Sequence, residues 1–333
     1  MSNILITGAA GCVGSNLVRR LAGEKHNLNI LIKPGTWHHF LDGLNLNIFY
    51  GDIRNKQDVL AAMKNCDYVY QVAGVVSYNL LDYKDMYTTH VDGVRNVLEA
   101  AGELGVKKVV VTASTAGIGI PDDKEKPLAE NATFDFKKYQ AVMYMYSKHL
   151  TIELCQDFAR LGLSVSVVSP TTIYGQGDKE MHIGKVVKKI KENKLKFAPP
   201  GGNAVVSVDD VVDAHILVMA KGRVGENYIF ADELIPYIDM FNRMAKLLEA
   251  KTIKRLTPKW FLPPAKLFLN FLERTMLVFG KKPLLSPSAL NFTFKYRYFD
   301  SAKARRELGW EPKVGFEESM VRAIKFYKES KLL

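Results

Sequence analysis

The sequence predicts an α/β protein built around a doubly wound parallel sheet, and three observations carry that expectation. Short β-rich runs alternate with helical ones through the first half of the chain. Several of those runs, such as Val109 to Val111, are apolar at every position, as suits strands covered by helices on both faces. A glycine-rich turn joins the first run to an amphipathic helix carrying Val13, Leu17, Val18 and Leu21.

Taken in order, strands are expected at Asn3 to Thr7, Leu28 to Ile32, Leu46 to Tyr50, Tyr68 to Val72, Lys107 to Ala113 and Leu163 to Ser169. Helices should begin near Cys12, Lys56, Asp82 and Lys137. This assigns 1–170 to a dinucleotide-binding Rossmann domain. Beyond Pro170, turn-rich stretches at Gly175 to Asp178 and Pro199 to Asn203 break the alternation, so 171–333 is expected to form a smaller substrate-binding portion. The boundary is soft, because Val205 to Lys221 and a strand near Glu226 to Phe230 have the pattern to pack back onto the first sheet. From Phe261 to Phe279 the polar residues Lys266, Asn270, Glu273 and Arg274 fall on one narrow stripe, which predicts a helix that buries most of its surface. Pro263 and Pro264 can open it and Gly280 can end it. Packing on the core, a lid over an apolar ligand and a surface resting on a membrane all fit that pattern.

The 333 residues, 47% hydrophobic and 24% charged, have the make-up of an ordinary globular protein. No apolar stretch approaches the roughly 18 residues of a membrane-spanning helix. Met1 to Ile6 runs straight into a strand where a secretory signal would lie. Cys12, Cys66 and Cys155 show neither pairing nor ligand spacing, so no disulfide framework and no metal site is predicted, and a cytoplasmic, reducing home is. The net charge of +11 favours anionic partners without choosing among them. Its densest stretch, Lys185 to Lys196, is interleaved with Ile183, Val186, Val187 and Ile190 at helical spacing and reads as a solvated face. No groove-reading module accompanies the charge, so nucleic acid is not an expected partner. Peripheral membrane contact and a homodimer stay open.

The glycine turn carries the first chemistry. Gly8, Gly11 and Gly14 permit the tight turn and close backbone approach that a pyrophosphate requires, while the helix opening at Cys12 and Val13 presents unpaired N–H groups to it. An NAD site would place a carboxylate at the end of the second strand to hold the adenosine ribose. Here that end carries Lys33 and no carboxylate, so a ribose 2′-phosphate is attracted and NADP(H) is favoured over NAD(H). Asp52, followed by Ile53 after the third strand, is placed to meet the adenine edge, and an ordinary turn-forming Asp fits equally.

Tyr144 and Lys148 stand one helical turn apart and can address one ligand. The spacing alone is cheap, since Tyr327 and Lys331 repeat it. Context separates them: Tyr144 follows the strand ending in Thr112, Ala113 and Ser114, and ligands in open α/β sheets bind beyond the carboxyl ends of strands. Hydride exchange at a carbinol carbon needs a proton partner for the oxygen, and a free phenol of pKa about 10 is a weak base unless a nearby cation favours the phenolate. Lys148 supplies that cation, and the Ser114 hydroxyl can steady the substrate oxygen, with Thr115 as the competing donor. Tyr139 and Tyr146 have no lysine four positions on and read as packing or pocket residues.

Together these residues resemble the extended short-chain dehydrogenase/reductase superfamily, the NAD(P)-dependent epimerase/dehydratase family, and within it the dihydroflavonol reductase-like and 3β-hydroxysteroid dehydrogenase-like members. The likeness rests on Leu31 to Thr36, Gly51 to Arg54, Val110 to Ser114, Pro170 to Gly175, Val206 to Val211 and Ala304 to Trp310. It implies that Gly8, Gly11 and Gly14 hold the pyrophosphate, that Val72 and Ala73 run past the adenosine side, that Pro170 and Thr172 border the nicotinamide, and that Ser114, Tyr144 and Lys148 are the catalytic trio. The chain departs from the pattern at Gln71-Val72-Ala73-Gly74, where the family often has His-x-Ala-Ala, and at His90, where Asn is common. His90 reads as a helix residue with local hydrogen bonds, not a proton carrier.

The expected function is an NADP-dependent oxidoreductase acting on a carbonyl or secondary alcohol of a fairly apolar small molecule. A nucleotide-sugar epimerase or dehydratase is the alternative, disfavoured by the lack of an arginine between Ala204 and Ser207 for a substrate diphosphate. A dinucleotide-binding redox sensor without turnover is the other, and retention of both Tyr144 and Lys148 speaks against it.

Overall fold

A computed structural model describes residues 1–282 and 286–333. Along the chain run β1 (Asn3–Thr7), α1 (Cys12–Ala22), β2 (Asn27–Ile32), β3 (Asn47–Tyr50), α2 (Lys56–Met63), β4 (Tyr68–Gln71), α3 (Tyr83–Tyr87), α4 (Val94–Glu103), β5 (Lys108–Thr112), α5 (Phe136–Tyr139), α6 (Met143–Arg160) and β6 (Val165–Pro170). Then follow β7 (Thr172–Tyr174), α7 (Gly184–Lys191), β8 (Phe197–Ala198), β9 (Gly202–Ser207), α8 (Val208–Lys221), β10 (Asn227–Phe230), β11 (Glu233–Pro236) and α9 (Tyr237–Leu247). The last elements are β12 (Arg255–Leu256), α10 (Leu262–Val278), α11 (Pro287–Thr293), β13 (Tyr296–Arg297), α12 (Ala302–Leu308) and α13 (Phe316–Glu329).

Seven strands form one sheet in the order β10-β6-β5-β4-β1-β2-β3, with every neighbouring pair parallel. The apolar runs explain the layering, because alternate residues of each strand feed opposite faces. Val109 and Val111 join Leu5, Val69, Val97, Leu98 and Ile152 in the core under α2, α4 and α6. Val110 joins Ile6, Leu17, Val18, Val168 and Val211 in the core under α1 and α8. Each fully buried Val or Leu contributes about 1.5–3 kcal/mol. Successive connections leave β1 in opposite directions, toward β2 on one side and β4 on the other, so a crevice opens at the carboxyl ends around Thr7 and Gln71.

The stretch from Val205 to Phe230 divides. β9, whose residues are all buried, pairs with β7, β11 and β13 in a second sheet, whereas α8 packs on β5 and β6, and β10 hydrogen-bonds along β6. On α7, Val187 and Ile190 are buried and Lys185, Lys188, Lys189 and Lys191 face outward, as helical spacing predicts.

Two local expectations are corrected, and one, the helix beginning near Asp82, holds with an irregular course. The helix foreseen from Lys137 is interrupted: α5 stops at Tyr139 and α6 starts afresh at Met143, which puts Tyr144 in its first turn. The segment near Asp82 begins as a 3-10 turn over Leu80–Asp82 and passes from α3 into α4 through a π-helical turn over Thr88–Gly93. The second correction concerns α10, which does not bury most of itself. Its chief neighbours are α11 and the turn at Lys259–Phe261, which cover Leu262, Ala265, Leu269, Leu272 and Met276 only in part. A second apolar face is left in solvent, with Leu267 73%, Phe268 63% and Phe271 70% exposed. Glu273, assigned by pattern to the outer stripe, is buried instead.

Candidate active site

The glycine turn is as tight as its composition requires. Gly8 adopts φ +66°, and a Cβ there would stand 2.5 Å from the Ala73 amide nitrogen. A Cβ on Gly14 would come within 2.2 Å of the Gly8 carbonyl oxygen, so the first turn of α1 lies directly on the loop. Gly11 is the N-cap of α1, no side chain caps its N–H groups, and no acidic residue occupies its first turn. The open donors and the positive dipole end therefore fit a diphosphate. Cys12 and Val13 occupy this turn. Cys12 Sγ donates to Gln176 O at 3.4 Å, and burial pushes the thiol up, with Asp178 and Asp209 adding to it, so it stays protonated.

Across the crevice the Thr7 hydroxyl donates to Gln71 Oε1 and accepts from the amides of Val72 and Ala73 at 3.2 and 3.3 Å, while Gln71 Nε2 donates to Ala73 O at 3.0 Å. The departure at Gln71 thus has a structural role: it locks the Val72-Ala73 backbone against Gly8.

On the adenosine side, Lys33 at the end of β2 is not the unpaired cation expected. Its Nζ lies 3.3 Å from Asp52 Oδ2, and Arg54 binds the same carboxylate at 2.6 Å. Asp52 is pulled down to about 2: partial burial opposes ionisation, and Arg54 and Lys33 outweigh it. Arg54 is a further cation here that the sequence reading passed over. The Ile53 side chain is buried against Gly93, and its carbonyl accepts from Asn96 Nδ2 at 2.9 Å.

Ser114 meets the Tyr144 phenol at the carboxyl end of β5, and Lys148 reaches the same strand end, but the lysine expected to favour the phenolate is not among the groups that act on the phenol. Lys148 Nζ donates to Thr112 O at 3.1 Å, and a Cβ on Gly74 would stand 3.4 Å from that nitrogen, so the ammonium sits beside the loop leaving β4. Burial lowers Lys148 to about 8, since no carboxylate compensates it. The Tyr144 phenol is raised to about 12 by burial first and by Tyr78 second, against a smaller opposing pull from the Ser114 hydroxyl and the Arg297 charge. Ser114 Oγ also accepts from the Ala116 amide at 3.2 Å. Thr115 turns away, donating to Pro170 O at 3.4 Å, which removes it as the competing donor. Pro170 ends β6, and Thr172 opens β7 with its hydroxyl accepting from Asn203 Nδ2 at 2.5 Å.

His90 proves to be a tether. Its Nε2 accepts from the Val75 amide at 3.0 Å, and Nδ1 lies 2.8 Å from Ser147 Oγ, which donates to Tyr144 O at 3.3 Å. Burial, then the Lys148 charge, holds the imidazole well below its usual range, so it is neutral. It fixes the start of α6 against the Val75 loop. The sequence repeat at Tyr327 and Lys331 is structural: Tyr327 is buried with its phenol donating to Asp178 at 2.7 Å, and Lys331 lies beyond the end of α13. Tyr139 is likewise a packing residue, its hydroxyl accepting from the Ile120 amide at 3.2 Å. Tyr78 and Arg297, which no motif marks, stand near Tyr144; the Tyr78 and Tyr144 rings meet edge to face at 5.6 Å.

The NAD dependent epimerase/dehydratase family matches residues 4–231. A protein of Synechocystis sp. that carries the provisional name dihydroflavonol 4-reductase is 24% identical over 97% of this chain and 94% of its own. Sterol demethylase protein B of Methylococcus capsulatus is 26% identical over 98% of each chain. Among solved structures, gox2253 superposes with a TM-score of 0.87 at 27% identity over the whole of both chains. Among the described residues, no group of three or more His, Cys, Asp or Glu is arranged to hold a metal ion, and no helix is long and apolar enough to cross a membrane.

Proposed function

Since this chain belongs to the NAD dependent epimerase/dehydratase family and is an NAD(P)-dependent enzyme, we propose that it is an NADP-dependent reductase or dehydrogenase of a carbonyl or secondary alcohol on a fairly apolar molecule. The observation that carries this reading is a buried phenol held by Ser114 and, one helical turn on, a buried, carboxylate-free ammonium tied to the carboxyl end of β5.

When bound, the nicotinamide supplies or accepts the hydride. The residues of this chain handle the rest. Ser114 steadies the oxygen as charge develops on it, and Tyr144 gives that oxygen its phenolic proton during reduction or takes one during oxidation. Lys148, held by Thr112 O, is the cation this reading assigns to the nicotinamide ribose. Gly8, Gly11 and Gly14, with the amides at Cys12 and Val13, hold the pyrophosphate, Val72 and Ala73 pass the adenosine, and Pro170 and Thr172 border the nicotinamide. NADP preference rests on Lys33 and Arg54. An exposed ion pair is worth at most about 1 kcal/mol, so a 2′-phosphate can draw Lys33 from Asp52.

Support for an apolar substrate comes from the relatives' names and from α10. Its outer face of Leu267, Phe268 and Phe271, flanked by exposed Lys259, Arg274 and Lys281, has the make-up of a surface that rests on anionic lipid. With three free cysteines, the reducing cytoplasm is the proposed location. Absorbance of reduced nicotinamide, followed with ketosteroids, flavonoids, β-keto acids and sugar nucleotides, tests the reading. Oxidation of NADPH by an apolar carbonyl is expected; activity confined to sugar nucleotides would replace this function with an epimerase or dehydratase.

A further inference from the structure

Two loops from distant parts of the chain meet on one face of α1. Cys12, Asn16 and Arg19 share that face by helical spacing. The loop after β7 is clasped to it: Asn16 Nδ2 donates to Gln176 O at 3.0 Å, Gln176 Nε2 donates to Asn16 Oδ1 at 2.9 Å, and a Cβ on Gly177 would stand 2.9 Å from Asn16 Nδ2. The loop after β2 is held on the same face by Arg19, whose Nη1 donates to Phe40 O at 2.9 Å. Lys179 then joins the two loops. Its Nζ donates to Trp37 O at 3.1 Å and lies 5.9 Å from the centre of the Trp37 ring.

The link lies beside the places assigned to the dinucleotide. Gly11, Cys12 and Val13 open α1 for the pyrophosphate, and Trp37 comes shortly after Lys33 at the end of β2, where the adenosine ribose is expected. Lys179 is also poorly neutralised for a shielded cation. Its side chain is only 19% exposed, yet its one ion pair among the described residues is with exposed Glu180 at 4.0 Å. The neighbouring carboxylate, Asp178, is already engaged by the amides of His182 and Ile183 and by the Tyr327 phenol. An ammonium has three donors, and among the described residues only the one given to Trp37 O has a hydrogen-bond partner. A carbonyl and an indole face attract a cation without cancelling its charge, so an anion placed beside it is favoured.

We propose that Lys179 is a phosphate-binding residue for the dinucleotide, supplied from outside the glycine turn, and that its link to Trp37 is a strap that retains the bound cofactor. The proposal rests on the oxidoreductase reading above and adds to its cofactor site. Trp37 O keeps one N–H of the ammonium and a phosphate oxygen takes another, so the loops after β2 and β7 are held together while the cofactor is in place. Exchange of the cofactor requires that the link open.

The test uses the full chain. Calorimetric titration with NADP+ and NAD+ reads affinity, and displacement of the bound reduced cofactor by excess oxidised form, followed by nicotinamide fluorescence, reads the release rate. Lys179→Ala is expected to weaken binding of the better-held dinucleotide about tenfold and to speed its release by a similar factor. Lys179→Arg should keep most of the affinity, and Trp37→Ala should speed release by about threefold, as loss of the indole face implies. In the wild type, bound cofactor should protect Lys179 from acetylation, read by peptide mass, while exposed Lys188 reacts as before. A loss shared by NADP+ and NAD+ assigns the contact to the pyrophosphate and one confined to NADP+ assigns it to the 2′-phosphate; either supports the proposal. Unchanged affinity and release in Lys179→Ala, a loss that Lys179→Arg does not relieve, or acetylation of Lys179 that ignores the cofactor overturns it. Should Lys179→Ala fail to fold by circular dichroism, acetylation of the wild type decides. A wild type that holds neither dinucleotide fails the oxidoreductase reading and the proposal with it, whereas a dinucleotide held equally by wild type and Lys179→Ala fails the proposal alone.

Discussion

Lys148→Met should abolish turnover and at the same time stabilise the cofactor-free protein. The lysine is buried and its pKa falls from 10.5 to about 8 through burial. That difference corresponds to about 3 kcal/mol by which the fold disfavours the charged form. Removing the ammonium also strips Thr112 O of a donor, at a cost of about 1 kcal/mol. The net gain is about 2 kcal/mol, and with an unfolding entropy of about 0.7 kcal/mol/K for a chain of this length it raises Tm by about 3 °C. The sign in pH follows from linkage: below pH 8 the lysine is charged in both states and the variant has its full advantage. Between pH 8 and 10.5 the wild-type fold sheds its proton before the unfolded chain does, so wild-type stability rises and the advantage disappears. Calorimetric melting of both proteins at pH 7 and pH 10.5 reads this directly. A variant that melts lower than wild type at pH 7, or by a margin that does not depend on pH, refutes the view of Lys148 as a desolvated cation held for function.

Lys33→Glu should lower the NADP-to-NAD ratio of kcat/KM by about tenfold to a hundredfold, as loss of a charge-assisted contact implies; an unchanged ratio rejects Lys33 as the 2′-phosphate residue. The outer face of α10 should bring the full chain down with sedimenting phosphatidylserine-containing vesicles but not with neutral phosphatidylcholine ones. The double substitution Phe268→Ser and Phe271→Ser should weaken that binding by about tenfold or more. Wild type that ignores anionic vesicles, or a double variant that binds as well, removes the lipid-surface reading.

The layered sheet was legible because its cause is local: alternating apolar runs specify buried parallel strands, and the glycine turn between β1 and α1 has no cheaper explanation than close backbone packing. Spacing and position after a strand singled out Ser114, Tyr144 and Lys148, and the fold sets Ser114 beside the Tyr144 phenol and Lys148 against Thr112 O. What pattern cannot carry is pairing across the chain. The Asp52 carboxylate that engages Lys33 lies beyond the next strand, and no local rule announces the contact. Arg297 sits between Tyr296 and Tyr298 like an ordinary surface arginine, and only the second sheet turns it toward Tyr78 and Tyr144. The α10 expectation failed for a related reason. Amphipathic pattern states how much apolar surface a helix has, not whether a neighbour exists to cover it, and here α11 covers one side only.

The measurement closest to the centre of this account is single-turnover hydride transfer by Tyr144→Phe, read at the reduced-nicotinamide band together with cofactor affinity. A fall of about 10²–10⁴-fold in the rate with the cofactor Kd unchanged is the result predicted for a residue that moves the proton. A rate within a few fold of wild type would contradict it, and with it the assignment of this site.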